Sequence, residues 1–240
     1  MMRIPLIYIP KTKYKKFLYI RKKYYSKYPI IPIGCDCHPA HTLNSLFLRK
    51  ISLPFDWLNI EPIHCFNYIN DNINCEFSFF KSNVITNERG YFIASKYPSA
   101  EFIHEKKLDS SDSQEKFDRR IARFTELLPK RNIFIHNIPA NSIKNKEDIT
   151  VFIESIVKFK EIIHNGSTIH IYIRFDENIT ENETLANELY VRLINSNIET
   201  IKYVRKLNKF GIWGDKKEYY RLLKNLKINI KQTFPNISIK

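Results

Sequence analysis

The stretch TIHIYIRF, residues 168–175, alternates isoleucines with polar or aromatic side chains, a two-residue period that is typical of a β-strand. The isoleucines would line one face of this strand, and His170, Tyr172 and Arg174 would line the other. An amphipathic helix is predicted before it at 147–163, and another is predicted after it. Because strands that alternate with helices form parallel βαβ units, this region predicts an α/β domain.

The same alternation extends over most of the chain. Further strands are predicted at 28–34, 100–104, 132–136 and near 199–204. Further helices are predicted at 40–51, 62–71, 112–128, near 183–195 and near 216–227. Asp112 and Glu115 are expected to form a capping box, and Pro129 to end that helix. The predicted fold class is therefore α/β, with a layered, mostly parallel sheet flanked by helices.

The positive charge of the chain is concentrated near its amino end. The formal net charge is +14, and residues 11–28 contain eight lysines or arginines, six tyrosines or phenylalanines and no acid. We predict a basic, aromatic-rich N-terminal arm over residues 1–28 and a single α/β domain over 29–240. Such an arm suits an anionic membrane surface or a polyanion, although we do not expect nucleic acid. An arm that only packs its aromatic side chains on the domain explains the composition equally well.

Cysteine usage indicates a reducing compartment. The four cysteines, Cys35, Cys37, Cys65 and Cys75, are too few for a disulfide framework in 240 residues. The apolar run IPLIYIP at 4–10 is too short for a signal-peptide core or a membrane span. We expect a cytoplasmic protein that could bind peripherally to the inner face of a membrane.

The segment IGCDCHPAH, residues 33–41, places a thiol where the chain leaves a strand and enters a helix. Backbone N–H groups and the dipole at a helix N-terminus stabilise a thiolate and can hold an oxyanion. Pro39 suits the first helical turn, so Cys37 lies closer to the helix start than Cys35 and is the preferred nucleophile. The backbone N–H groups of Cys37 and His38 could form an oxyanion hole.

A nucleophilic cysteine needs a base, and two histidines end predicted strands. His104 ends EFIH and His136 ends IFIH, so both are expected at the edge where α/β proteins build their sites. Asp56, Glu105, Asn137 or Asp176 could orient the imidazole, and the spacing does not choose among them.

Two other interpretations of the cysteine segment remain open. Zinc could bind Cys35, Cys37, His38 and His41, with His64 or Cys65 as a further ligand, but no second pair of ligands follows at the usual spacing. Alternatively, the two cysteines could be small core residues, since free cysteine is often buried. We expect no metal and no cofactor.

The segment from Gly34 to Trp57 resembles a signature of uncharacterised bacterial proteins classed as papain-like cysteine peptidases. That signature is Leu-Gly-x-x-Cys, a helix ending in Leu-Arg, and Pro-Phe-Asp-Trp. It matches Gly34, Cys37, Leu48, Arg49, Pro54, Phe55, Asp56 and Trp57. Further along, the family shows a histidine followed by an acid, an Arg-Arg-Ile-x-Arg-Phe helix and an apolar strand. These features match His104-Glu105, RRIARF at 119–124, and NIFIH at 132–136.

This resemblance implies that Cys37 is the nucleophile, His104 the base and Asp56 the structural or orienting acid. We expect His38, Glu105 and Trp57 to support the site, with His136 as an alternative base. The family name implies a papain-like α+β fold as the alternative architecture.

The implied activity is that of a cysteine-dependent hydrolase or acyltransferase. Its substrate would be an acyl compound or peptide, and its role would lie in surface polysaccharide or metabolite assembly. The competing hypothesis is a non-catalytic protein that binds a polyanion or a membrane surface through its basic arm.

Overall fold

The computed structural model describes residues 2–177 and 183–239. The strands are β1 (Met2–Tyr8), β2 (Lys15–Ser26), β3 (Ile30–Pro32), β4 (Asn59–Ile60), β5 (Val84–Thr86), β6 (Phe92–Ala94), β7 (Ala100–Phe102), β8 (Ile133–Pro139), β9 (Thr168–Asp176), β10 (Glu199–Arg205) and β11 (Ile230–Ile239). The helices are α1 (His38–Ser45), α2 (Cys65–Asn74), α3 (Ser111–Leu127), α4 (Lys146–Ile162), α5 (Glu183–Asn195), α6 (Leu207–Phe210) and α7 (Tyr219–Asn225). None of these helices is long and apolar enough to cross a membrane.

A parallel sheet of four strands forms the centre of the fold. Its order is β10-β9-β8-β3, and each neighbouring pair is parallel. Helix α4 connects β8 to β9 and α5 precedes β10, as expected for βαβ crossovers. The chain is therefore a mixed α/β protein whose parallel sheet is flanked by helices.

The prediction of a mostly parallel architecture is correct for the central sheet alone. In the described part of the chain, two further sheets are antiparallel, with the orders β4-β7-β6-β5 and β1-β2-β11. Two of the strands, β5 and β6, lie in residues 76–99, for which no helix or strand was predicted. Strand β11 completes the sheet that β1 and β2 begin, and its residues 230–239 pair with residues 18–26 of β2.

Both faces of strand β9 are buried, although its sequence alternates apolar and polar residues. Ile171 on one face packs with Phe152 and Phe159 of α4. Tyr172 on the other face packs with Leu43 of α1 and Leu222 of α7. Helices cover the two faces of this inner strand, so its polar side chains are buried and need hydrogen-bond partners.

Helix α3 starts at a different cap from the predicted one. Ser110 is the N-cap, and its side chain accepts a hydrogen bond from the backbone N–H of Ser113 at 3.4 Å. The capping box predicted at Asp112 and Glu115 is therefore wrong. A serine in extended conformation just before the first turn can bond the exposed N–H groups there, whereas Asp112 is already inside the helix.

Gly34, shortly after β3, lies where neighbouring side chains approach the backbone closely. A Cβ atom at this position would lie 2.3 Å from Oδ1 of Asn137 and 2.4 Å from Cγ of Pro39. The turn that leads into α1 therefore needs a residue without a side chain.

We predict that Gly34→Ala lowers the free energy of unfolding by about 1–3 kcal/mol, because the added methyl group overpacks the turn. Urea denaturation would measure the change. Gly166→Ala is the control, since its Cβ would be no closer than 3.1 Å to a side-chain atom of His164. Equal free energies of unfolding for the two variants would contradict the prediction that a methyl group at position 34 overpacks the turn.

Candidate active site

Cys37 occupies the N-cap position of α1. The carbonyl of Cys37 accepts a hydrogen bond from the N–H of His41 at 2.9 Å, and Pro39 lies in the first turn as predicted. The helix starts two residues earlier than expected. The helix therefore begins at the residue after Cys37, so the thiol lies near the positive end of the helix dipole.

The structure brings Cys37 and His104 together, although 67 residues separate them in the chain. Sγ of Cys37 lies 3.4 Å from Nε2 of His104, a hydrogen-bond distance for sulfur. His104 follows β7, so it is positioned by an antiparallel sheet and not by the parallel sheet that the sequence analysis assumed. The thiol is buried and the imidazole is exposed, so the pair lies at the protein surface.

Trp57 positions the imidazole ring. The two rings are perpendicular, at an interplanar angle of 88°, with their centroids 5.7 Å apart. On the same tryptophan, the guanidinium carbon of Arg49 lies 5.1 Å from the ring centroid. The predicted supporting role of Trp57 thus corresponds to an aromatic contact with the candidate base.

Asp56 is buried and binds Arg49. Its Oδ2 accepts hydrogen bonds from Nε of Arg49 at 2.8 Å and from the N–H of Leu53 at 2.9 Å. Burial raises the pKa of the Asp56 carboxyl, although Arg49 acts in the opposite direction. Among the described residues its Oδ1 has no hydrogen-bond partner and no bond joins it to His104. Of its two predicted roles, the structure thus shows the structural one.

Glu105 is held by helix α3. It forms ion pairs with Lys116 and, at 3.8 Å, with Arg120. Burial lowers the pKa of the Arg120 guanidinium, while Glu105 and Asp56 both act to raise it. Arg120 therefore interacts electrostatically with both Glu105 and Asp56. Arg120 is the second residue of the RRIARF motif, whose sequence alone did not indicate that this arginine lies near the site.

His38 packs in the core with its ring among tyrosines. Its Nδ1 and the Tyr172 hydroxyl form a hydrogen bond of 2.6 Å, and burial lowers the pKa of the imidazole to about 3. Its backbone N–H donates to Oδ1 of Asp36 at 2.9 Å. This N–H is therefore not free for an oxyanion, and the predicted oxyanion hole loses one of its two donors. The side chain stabilises α1 against the sheet.

His136 is fully buried and lies in the core of the parallel sheet. Its Nδ1 donates to the carbonyl of Ile33 at 2.8 Å, and its ring packs against Phe66 and Phe152. Burial lowers the pKa of this imidazole to about 4. These contacts correct its prediction as an alternative base, because a buried ring that binds Ile33 cannot serve a thiol that is paired with His104.

An ion-pair network lies at the carboxyl edge of the parallel sheet, and sequence analysis did not find it. Oδ1 of Asp36 also accepts a hydrogen bond from Nδ2 of Asn137 at 3.0 Å, and Oδ2 pairs with Arg174. Burial would raise the pKa of the Asp36 carboxyl, but Arg174 holds it below its ordinary value. Nε of Arg174 lies 3.3 Å from Asp176, which also binds Arg205. Asn137 and Asp176, two candidates for orienting the imidazole, thus belong to this network.

A cavity of about 310 Å³ lies beside this network. The parallel-sheet edge contributes Asp36 and Arg174, and the antiparallel sheet contributes Asn59 and Glu101. Cys35 and Asp36, the two residues before the candidate nucleophile, line this cavity, whereas Cys37 and His104 do not. It is a polar space in which a substrate group could bind.

The other cysteines do not share this position. Cys35 and Cys65 belong to the main cluster of packed core side chains, whereas Cys37 is buried outside this cluster. All four cysteines are free, and in the parts of the chain that the structure describes, no three His, Cys, Asp or Glu side chains are arranged to hold a metal ion. Comparisons of the chain with protein-family models, curated proteins and solved structures found no match.

The environment of Cys37 keeps its thiol protonated. Burial, followed by the negative charges of Asp36 and Asp56, raises the pKa of Cys37 to about 12. Sequence analysis expected the helix N-terminus to lower this pKa. The helix has only eight residues, and two carboxylates oppose its dipole.

We predict that Cys37 reacts with iodoacetamide more slowly at neutral pH than an unperturbed thiol does, with a rate that still rises above pH 9 because its pKa is raised. Mass spectrometry of each cysteine over a pH series would measure this. Asp36→Asn should speed the reaction at neutral pH, since it removes the nearest negative charge. Half-maximal labelling of Cys37 below pH 8 would contradict the prediction.

We predict that Arg49→Leu lowers the free energy of unfolding by about 3–5 kcal/mol at pH 7, since it leaves the Asp56 carboxylate buried and unpaired. The loss should be smaller at pH 4.5, because the raised pKa of Asp56 allows the carboxyl to take up a proton there. Urea denaturation at both pH values would measure it. Arg119→Leu, at an ion pair with Glu115 in which both side chains are exposed, is the control and should cost less.

Proposed function

We propose that the protein is a cysteine-dependent hydrolase or acyltransferase that uses Cys37 as nucleophile and His104 as base. The observation that carries the proposal is the 3.4 Å contact between Sγ and Nε2 at the N-terminus of α1. A thiol within reach of an imidazole is the arrangement that nucleophilic catalysis needs. The cavity lined by Asp36, the residue before Cys37, would hold a polar part of the substrate.

The raised thiol pKa favours general-base catalysis over a resting ion pair of thiolate and imidazolium. Sγ of Cys37 would bond to the carbonyl carbon of an ester, thioester or amide while its proton moves to Nε2 of His104. The bond to the leaving oxygen, sulfur or nitrogen would then break, and His104 would protonate the leaving atom. Cys37 would be left as a thioester.

The second half of the reaction decides between the two activities. Water or the hydroxyl of an acceptor would give a proton to His104 and attack the thioester carbon. The carbon–sulfur bond would break, and the proton would return to Sγ of Cys37. Water as acceptor makes the protein a hydrolase, and a sugar or metabolite hydroxyl makes it an acyltransferase.

The groups around the pair support its positioning. Trp57 fixes the edge of the imidazole, and Arg49 links that tryptophan to the buried Asp56. The residues with these roles lie in the segment that resembles the family signature. A papain-like α+β fold is supported by the antiparallel sheet that carries His104, but not by the central parallel sheet. A cytoplasmic role in surface polysaccharide or metabolite assembly belongs to the same proposal.

We predict that p-nitrophenyl acetate acylates Cys37 of the wild type, and that His104→Ala slows this acylation by about 10²–10⁴-fold. Cys37→Ser should give no thioester. Acid-quenched mass spectrometry would locate the acetyl group and measure its rate of appearance. A solvent deuterium isotope effect above unity would accompany proton transfer to His104.

The first matched control is Cys75→Ser, which removes a partly buried thiol. The second is His64→Ala, which removes an exposed histidine whose side chain makes no capping hydrogen bond to helix α2. Both should acylate at the wild-type rate. Acylation at Cys75, or an unchanged rate in His104→Ala, would refute the Cys37–His104 mechanism.

A further inference from the structure

The sheet formed by β1, β2 and β11 has two chemically different faces. Residues that pair directly across antiparallel strands share a face, so the register assigns the side chains. Ile20 pairs with Met2 on one side and with Ile237 on the other. We call the resulting surface the aliphatic face; it consists of Met2, Ile4, Ile7, Leu18, Ile20, Ile237 and Ile239.

The aliphatic face is exposed along most of its length. Exposed fractions of its outer side chains are 54% for Met2, 45% for Ile7, 60% for Ile237 and 61% for Ile239. Leu18 and Ile20 of the central strand belong to neither core cluster. At the base of the same face, Tyr24 and Ile230 pack on the domain. The sheet therefore extends beyond the core with an uncovered apolar surface.

This sheet is also the most basic part of the protein. Residues 2–28 and 230–239 contain ten lysines or arginines and no acid. Lys16 and Lys22 share the aliphatic face and lie at its two ends on β2, since side chains alternate along a strand. Arg3, Arg21 and Lys23 lie on the opposite face. The apolar surface thus has a lysine at each end of its central strand and further cations on the opposite face of the sheet.

Charge and size identify the partner. A second copy of the chain would bring ten like charges against ten, which disfavours pairing of these faces. Three strands spaced about 4.8 Å apart give the aliphatic face an area of about 300 Å², against about 800 Å² per partner in a stable interface. We propose that this face docks on an anionic phospholipid bilayer, with its aliphatic side chains at the headgroup boundary and its lysines on the phosphates.

The sheet is attached to the helix that carries Cys37. The N–H of Tyr24 donates to the carbonyl of Leu46, the C-cap of α1, at 3.1 Å. An eight-residue helix is about 12 Å long, so docking would keep Cys37 near the bilayer surface. The docking proposal does not depend on the chemistry of Cys37.

Vesicle flotation of the full chain tests the proposal. The vesicles contain phosphatidylcholine alone or with about one third phosphatidylglycerol, in about 0.05–0.5 M NaCl. Wild-type protein should bind the anionic vesicles at least about tenfold more tightly than the vesicles of phosphatidylcholine alone. This binding should weaken as the salt concentration rises. Ile237→Ser/Ile239→Ser should lose about tenfold or more in affinity.

Two further variants separate the contributions. Lys16→Ser/Lys22→Ser should weaken binding at low salt and have less effect at high salt, where the charges are screened. Val191→Ser/Ile212→Ser, with side chains 52% and 67% exposed outside the sheet, is the control and should bind like the wild type. Circular dichroism of each variant verifies folding.

Three results would overturn the proposal. The first is equal affinity for neutral and anionic vesicles. The second is self-association, measured by analytical ultracentrifugation, together with no vesicle binding, which would make a second copy the occupant. The third is binding to heparin but not to vesicles, which would leave the cations as a site for a soluble polyanion.

Discussion

The carboxylate of Asp36 connects the segment that carries the candidate nucleophile to the central sheet. It accepts hydrogen bonds from the N–H of His38 in α1 and from Asn137 in β8, and it pairs with Arg174 in β9. One side chain therefore fixes the turn after β3 against two neighbouring strands. Arg174 compensates its charge, since even a partly buried carboxylate without such a partner would destabilise the fold. The position of Cys37, the next residue, depends on this arrangement.

The same carboxylate creates a conflict between stability and reactivity at Cys37. Its charge, with that of Asp56 and with burial, keeps the thiol protonated, while the helix N-terminus favours the thiolate. His104 resolves this conflict in the proposed reaction, because it would accept the proton only as the thiol attacks. A thiol of high pKa is also a stronger nucleophile once its proton has left. The proposed reaction thus depends on proton transfer during attack.

Each of the two antiparallel sheets contributes a candidate functional feature that the central parallel sheet does not carry. One of them places His104 beside Cys37 and forms a wall of the polar cavity. The other carries an aliphatic face and ten positive charges beyond the core, and its base is bonded to the C-cap of α1. Helix α1 consequently joins a candidate catalytic group at one end to a candidate membrane surface at the other.

The sequence by itself determined the helices and strands whose apolar residues recur at a regular spacing within one segment. The helices over 111–127, 146–162 and 183–195 and the strands between them follow from apolar spacing, which each segment contains within itself. Cys37 and His104 were also proposed from sequence, by their places at element ends and by resemblance. Only the tertiary structure decided the charge environment of the thiol, the network around Asp36 and the pairing of β2 with β11. These depend on contacts between residues far apart in the chain, and no local period encodes such contacts.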